Sequence, residues 1–159
     1  VITHRDYDGR DAFDAALMEA IDDFQPDLVV LAGFMRILTD GFVQHYQGRL
    51  LNIHPSLLPD WPGLHTHRKV LEAGETEHGA TVHFVTEELD GGPRVIRGHV
   101  PVRADDDEDS LAGRVGEQER RIYPQAVRWF CQGRLRLANG LAELDGTPLC
   151  DPIDIDTNP

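Results

Sequence analysis

Residues 50–67 read LLNIHPSLLPDWPGLHTH, and their reading decides the fold. The run opens apolar, with Leu50, Leu51 and Ile53, and then meets Pro55, Pro59 and Pro62. That is the pattern of a buried strand leaving its sheet through a rigid loop. Asn52 and His54 interrupt the apolar run two residues apart, and side chains at i and i+2 share one face of a strand. An amide and an imidazole therefore leave the strand's carboxyl end together, where open α/β sheets bind ligands. Asn offers two N–H donors, and His moves a proton near neutral pH. The pair suits a reaction that builds negative charge on a carbonyl oxygen and transfers one proton. So short a motif equally fits a strand end whose Asn and His bond only the loop backbone, and the surrounding chain has to decide.

Upstream, Val1–His4 reads as the tail of a strand. A helix follows from Asp8 and Gly9, with Phe13, Ala16, Leu17, Ala20, Ile21 and Phe24 at helical spacing and Pro26 as the stop. Arg10 sits on its first turn. Asp27–Ala32 is a continuous apolar run, the signature of a buried parallel strand. Gly33 and the segment Phe34-Met35-Arg36-Ile37-Leu38 follow at its carboxyl end, placed either to wall a pocket or to fill the core. Thr39 or Asp40 caps a short helix to about Tyr46. Helix, strand, helix, strand implies right-handed crossovers and a parallel sheet.

Downstream, the prolines of the 55–64 loop preshape it. A helix runs from His65 to Ala73 and ends at Gly74. His65 and His67 have metal-like spacing but diverge on a helix, and no third ligand is well placed. His78–Thr86 alternates as a strand, Leu89–Pro93 is a turn, and Arg94–Val102 is a strand antiparallel to the one before. Asp90 is an ordinary residue for an Asp-Gly turn; near His54, its carboxylate would orient the ring. The acidic run Asp105–Asp109 caps a helix over Ser110–Gln132 that carries Glu119 and kinks near Pro124. Arg134–Leu144 is a hairpin about Asn139-Gly140. Residues 1–150 read as one domain, and 151–159 as a disordered acidic tail.

The 159 residues suffice for one domain with a real core. Lys and Arg number 15 against 28 Asp and Glu, a formal net charge of −13. That balance argues against a nucleic-acid surface or an anionic membrane as partner. No stretch is apolar enough to span a bilayer, and the chain reads as cytoplasmic. Cys131 and Cys150 lack metal spacing, and Cys131 reads as a core residue.

Taken together, Asn52 to Pro59 and Pro62 to His67 closely resemble the phosphoribosylglycinamide formyltransferase family. The likeness continues through Leu31–Leu38, His78-Gly79, Val82–Val85 and Leu89–Pro93. It implies an α/β, Rossmann-like formyltransferase fold, a mostly parallel sheet with antiparallel C-terminal strands. It also implies transfer of a formyl group from 10-formyltetrahydrofolate to the amine of 5'-phosphoribosylglycinamide, without a metal. The family's catalytic residues fall on Asn52, His54 and Asp90. Its folate contacts fall on Arg10, Met35, Arg36, Ile37, Leu38, Thr86, Glu87, Glu88 and Leu89. Its contacts to the amine substrate fall on Pro55 and Glu119. The partners implied are small molecules, not nucleic acid or membrane, with a homodimer left open.

Two departures stand out. Roughly the first third of the family's chain, with its opening strand and Gly-rich phosphate loop, has no counterpart here, so the fold is expected to be N-terminally truncated, with an exposed sheet edge. Gly116 stands where some relatives carry Gln. The rival readings are a folate-binding remnant without activity, a formyltetrahydrofolate hydrolase, and a methionyl-tRNA formyltransferase, the last disfavoured by the acidic charge.

Overall fold

The computed structural model describes residues 1–155. The elements are α1 (Arg10–Asp22), β1 (Val29–Leu31), α2 (Asp40–His45), β2 (Leu50–His54), α3 (Thr66–Ala73), β3 (Glu77–Phe84), β4 (Arg94–Pro101), α4 (Glu108–Cys131), β5 (Leu135–Ala138), β6 (Leu141–Leu144), β7 (Thr147–Pro148) and β8 (Ile153–Ile155). The central sheet has the order β1-β2-β3-β4-β8. β1 pairs parallel to β2, and β4 parallel to β8, while β3 is antiparallel to both of its neighbours. Four strands thus point one way and β3 points against them.

Alternation along β2 assigns its two faces. Leu51 and Ile53 join the main core with Val82, Phe84, Ile96, Leu111, Val115 and Ile122, under α4. Leu50 turns the other way and packs with Phe42 and Tyr46, against Leu17, Met18 and Ile21 of α1. Each large apolar side chain buried this way contributes about 1.5–3 kcal/mol. Asn52 and His54 lie on the Leu50 face, beyond the reach of that smaller cluster. Helix α4 starts at Asp107, whose side chain accepts from Ser110 N while Ser110 Oγ accepts from Asp107 N, a reciprocal capping box. Asn139 and Gly140, at φ 52° and 76°, make the turn between β5 and β6.

Several sequence expectations are corrected. Val1–Thr3 form no strand, and His4–Asp6 is a single 3-10 turn. The strand read over Asp27–Ala32 covers only Val29–Leu31, and Val30 is 47% exposed because β1 is the sheet edge. Cys131 is exposed, since it ends α4 beyond the last buried turn. Helix α4 begins two residues before Ser110. The segment read as a disordered tail supplies β8, held to β4 by Arg97 and His99 on Asp154; residues 156–159 lie outside the described residues.

Candidate active site

Strand register builds the first half of the site. Asn52 lies directly across from His83, and His54 across from Thr81. In β3, Gly79, Thr81 and His83 alternate with the core residues Ala80, Val82 and Phe84, so His83 and Thr81 share the face of Asn52 and His54. The Asn52 Nδ2 and His83 Nε2 atoms are 3.3 Å apart. His83 Nδ1 donates to the Phe84 carbonyl at 2.9 Å. That leaves Nε2 as the acceptor for the Asn52 amide. Burial pushes the His83 imidazole below the usual histidine range, which keeps this neutral tautomer in place.

The loop after β2 is tied down from both sides. Thr81 Oγ1 donates to Ser56 O at 2.7 Å and accepts from Leu58 N at 3.0 Å. Ser56 Oγ donates to Asp60 O, and Thr66 Oγ1 to Pro55 O, each at 2.6 Å. A Cβ at Gly79 would lie 2.1 Å from Gly98 O and 2.7 Å from the Leu57 side chain, so only glycine lets the loop lie on the sheet here. The loop then returns Trp61 to His54, whose Nε2 donates to the Trp61 carbonyl at 3.0 Å.

The third group arrives from the turn after β3. Asp90 has φ 53°, a left-handed conformation that Asp tolerates better than most residues. Its Oδ2 accepts from Gly63 N at 2.8 Å, and its Oδ1 stands 3.5 Å from His54 Nδ1 and 4.0 Å from His83 Nε2. The side chains of His54 and Asp90 are 8% and 9% exposed. Both ring nitrogens of His54 thus face acceptors, which fixes the orientation of the ring. The 3.5 Å separation is an ion-pair distance, longer than a formed N–H···O bond.

Asn52, His83 and Asp90 border a cleft of about 90 Å³, and His54 meets it only through its contact with Asp90. Arg36, Ile37, Leu38, Thr86, Glu87, Glu88 and Leu89 line it together with Asn52, His83 and Asp90. Of the residues singled out from sequence, Arg10, Met35, His54, Pro55 and Glu119 are outside this wall; Met35 is 77% exposed. Ile37 is exposed too, so most of the 34–38 segment walls the cleft, and Leu38 alone also packs against the smaller core cluster. Glu119 forms no hydrogen bond or ion pair with the site among the described residues. It is half-buried, and desolvation pushes its carboxyl above the usual range. It lies one helical turn before Tyr123, whose hydroxyl reaches the Leu31 and Leu51 carbonyls at 2.8 and 3.0 Å. Pro55 contributes its carbonyl to the loop. His67 turns away from His65 to meet His78, Nδ1 to Nε2, at 3.0 Å. Among the described residues, no cluster of three or more His, Cys, Asp or Glu is arranged to hold a metal ion, and no helix is long and apolar enough to cross a membrane.

Sequence reasoning missed four contributors. His83 could have been found by alternation, had the β2–β3 pairing been known. Gly63 and the Trp61 carbonyl act through backbone atoms, which carry no side-chain signature. Asp14 is buried on α1 and accepts from Thr39 N at 2.7 Å; with the Arg36 guanidinium 5.1 Å above the Phe13 ring, it anchors the 34–39 segment.

The fold and site define a Rossmann-like α/β protein with its polar group at the carboxyl edge of the sheet. Residues 1–127 match the family described as formyl transferase. The chain belongs to that family of enzymes. It is 58% identical over 143 residues to the phosphoribosylglycinamide formyltransferase of Escherichia coli (strain K12), covering 90% of this chain and 68% of that one. The solved phosphoribosylglycinamide formyltransferase of Coxiella burnetii superposes with a TM-score of 0.92 at 44% identity, covering 98% of this chain and 74% of that chain. A formyltetrahydrofolate deformylase from Pseudomonas syringae pv. tomato is similar at 28% identity and a TM-score of 0.79, covering 83% and 44%.

Proposed function

We propose that this chain carries the formyl-transfer site of a phosphoribosylglycinamide formyltransferase, moving a formyl group from 10-formyltetrahydrofolate to the amine of 5'-phosphoribosylglycinamide. The observation that carries the reading is the buried His54–Asp90 pair at 3.5 Å, whose Asp90 lines the same cleft as Asn52. The amine attacks the formyl carbon and gives a tetrahedral oxyanion. Asn52 Nδ2 has two hydrogens; one goes to His83, and the other is free for that oxyanion. Such a donor lowers the barrier by about 3–4 kcal/mol. His54 delivers a proton to the leaving folate nitrogen through Nδ1, while the Trp61 carbonyl fixes Nε2. Asp90 orients the ring and takes up the amine's proton through water. No covalent enzyme intermediate is required.

The cleft residues Arg36, Ile37, Leu38 and Thr86–Leu89 are assigned to the folate, together with Arg10 and Met35. Pro55 and Glu119 are assigned to the amine substrate. The reading is tested by assaying formyl transfer with both substrates, comparing the unsubstituted chain with His54→Ala and Asp90→Asn. The expected result is loss of kcat with KM little changed; a loss confined to KM rejects these roles. The deformylase likeness supports a second reading, in which water replaces the amine. Formate released at the same rate with and without the amine substrate would favour it. Folate binding without turnover would favour a binding remnant.

A further inference from the structure

A second cavity, of about 380 Å³, is distinct from the cleft beside Asn52 and Asp90. It lies between the 86–94 loop, the β5–β6 turn and the segment 149–152, and it shares only Thr86 and Glu88 with that cleft. Four arginines are half-buried: Arg49, Arg94, Arg97 and Arg114. Arg49 donates to the Pro26 carbonyl, Arg97 pairs with Asp154, and Arg114 pairs with Asp106. Arg94, which lines the cavity, has no hydrogen-bond or ion-pair partner among the described residues. In a chain of net charge −13, a partly desolvated guanidinium with no carboxylate is out of pattern, because charges removed from water are normally paired. Glu88 lines the same cavity and is likewise unpaired among the described residues. Leu141, Leu149 and Pro152 supply an apolar wall, and the Cys150 thiol is exposed at the same wall.

We propose that this cavity is a binding site for a small zwitterion, a free α-amino acid with an apolar side chain. The Arg94 guanidinium would take the carboxylate as a two-pronged pair. Glu88 would take the ammonium group, and the leucines and proline the side chain. A bare anion such as phosphate meets Glu88 as a like charge, so it is disfavoured. The site shares Glu88 with the residues assigned to the folate, so its test reads leucine binding with no folate present.

The probe is L-leucine, and the reporter is alkylation of Cys150 by iodoacetamide, followed by mass spectrometry. Cys131 is also exposed and lies outside the cavity, so it serves as the internal control. L-leucine is expected to slow Cys150 alkylation saturably and to leave Cys131 unchanged. Arg94→Gln is expected to raise the half-saturating concentration about tenfold or more, the size of effect of a lost charge-assisted pair. Acetate and inorganic phosphate are expected to protect at least about tenfold less well, on the same grounds. If Arg94→Gln does not fold, Arg94→Lys replaces it and must weaken protection severalfold, because the fork is lost while the charge stays. The proposal is overturned by any one of four results: no protection by L-leucine, equal protection of both cysteines, protection unchanged in the Arg94 variant, or phosphate or acetate protecting as well as leucine.

Discussion

The Asp90 carboxylate accepts the backbone N–H of Gly63 at 2.8 Å through Oδ2, while Oδ1 faces His54. One buried side chain thus joins the turn after β3 to the loop after β2 and orients the imidazole between them. The two jobs can be separated by substitution. Asp90→Asn keeps an acceptor oxygen for Gly63 and should keep most of the stability, within about 1 kcal/mol, while losing kcat. Asp90→Ala removes the Gly63 bond and the ion pair with His54, and should also lower unfolding free energy by about 1.5–3 kcal/mol. Urea unfolding of the two variants checks the split; equal stability loss in both would show that the Gly63 bond does not hold the loop.

His83 is expected to matter through Asn52. Its neutral Nε2 accepts the amide of Asn52, and burial disfavours its protonation. His83→Phe fills similar space but cannot accept, so the Asn52 amide loses its orientation. We expect kcat to fall by about tenfold to a hundredfold, part of what a lost oxyanion donor costs, with circular dichroism unchanged. An activity equal to the unsubstituted chain would remove His83 from the site.

The His67–His78 pair predicts how stability varies with pH. Burial pushes the His78 imidazole down to about 4 and lowers His67 as well. The folded-state value of His78 lies below the unfolded value of about 6.5, so the unfolded chain takes up the proton first. Its contribution is fully present above about pH 6.5 and is lost as pH falls towards 4, with a slope of at most about 1.4 kcal/mol per pH unit. His78→Phe should flatten that slope. Unfolding free energies measured between pH 4 and 7 decide it, and an unchanged slope would assign the dependence to other groups.

Tyr123 links α4 to the ends of two strands, with its hydroxyl on the Leu31 and Leu51 carbonyls. Burial pushes this phenol well above the usual range, so it remains a donor throughout the working pH range. Tyr123→Phe leaves those carbonyls without that donor and should destabilise by about 1–3 kcal/mol. A shift in the chemical-denaturation midpoint without change in slope is the expected result; no shift would mean that water takes the place of the hydroxyl.

Gly92 is fixed by close approach, because a Cβ there would lie 1.8 Å from the Phe84 carbonyl. Gly92→Ala must push the turn off β3 and move Asp90 with it. The expected cost is about 1–3 kcal/mol, together with loss of kcat. A variant as stable and active as its parent would show that the turn has room this geometry denies it.

The residues themselves determined strand β2, the rigid loop behind it, the cap of α4, the Asn139-Gly140 turn, and the pairing of Asn52 with His54 on one strand face. These follow from alternation, proline geometry and local hydrogen bonding, all of which act within a few residues of chain. Tertiary structure alone decided that β3 turns back antiparallel, which sets His83 opposite Asn52. It also decided that residues 153–155 join the sheet, and that Asp90 reaches Gly63 across 27 positions of sequence. Such contacts depend on which distant segments share a surface, and side-chain spacing along one segment cannot encode the identity of its partner.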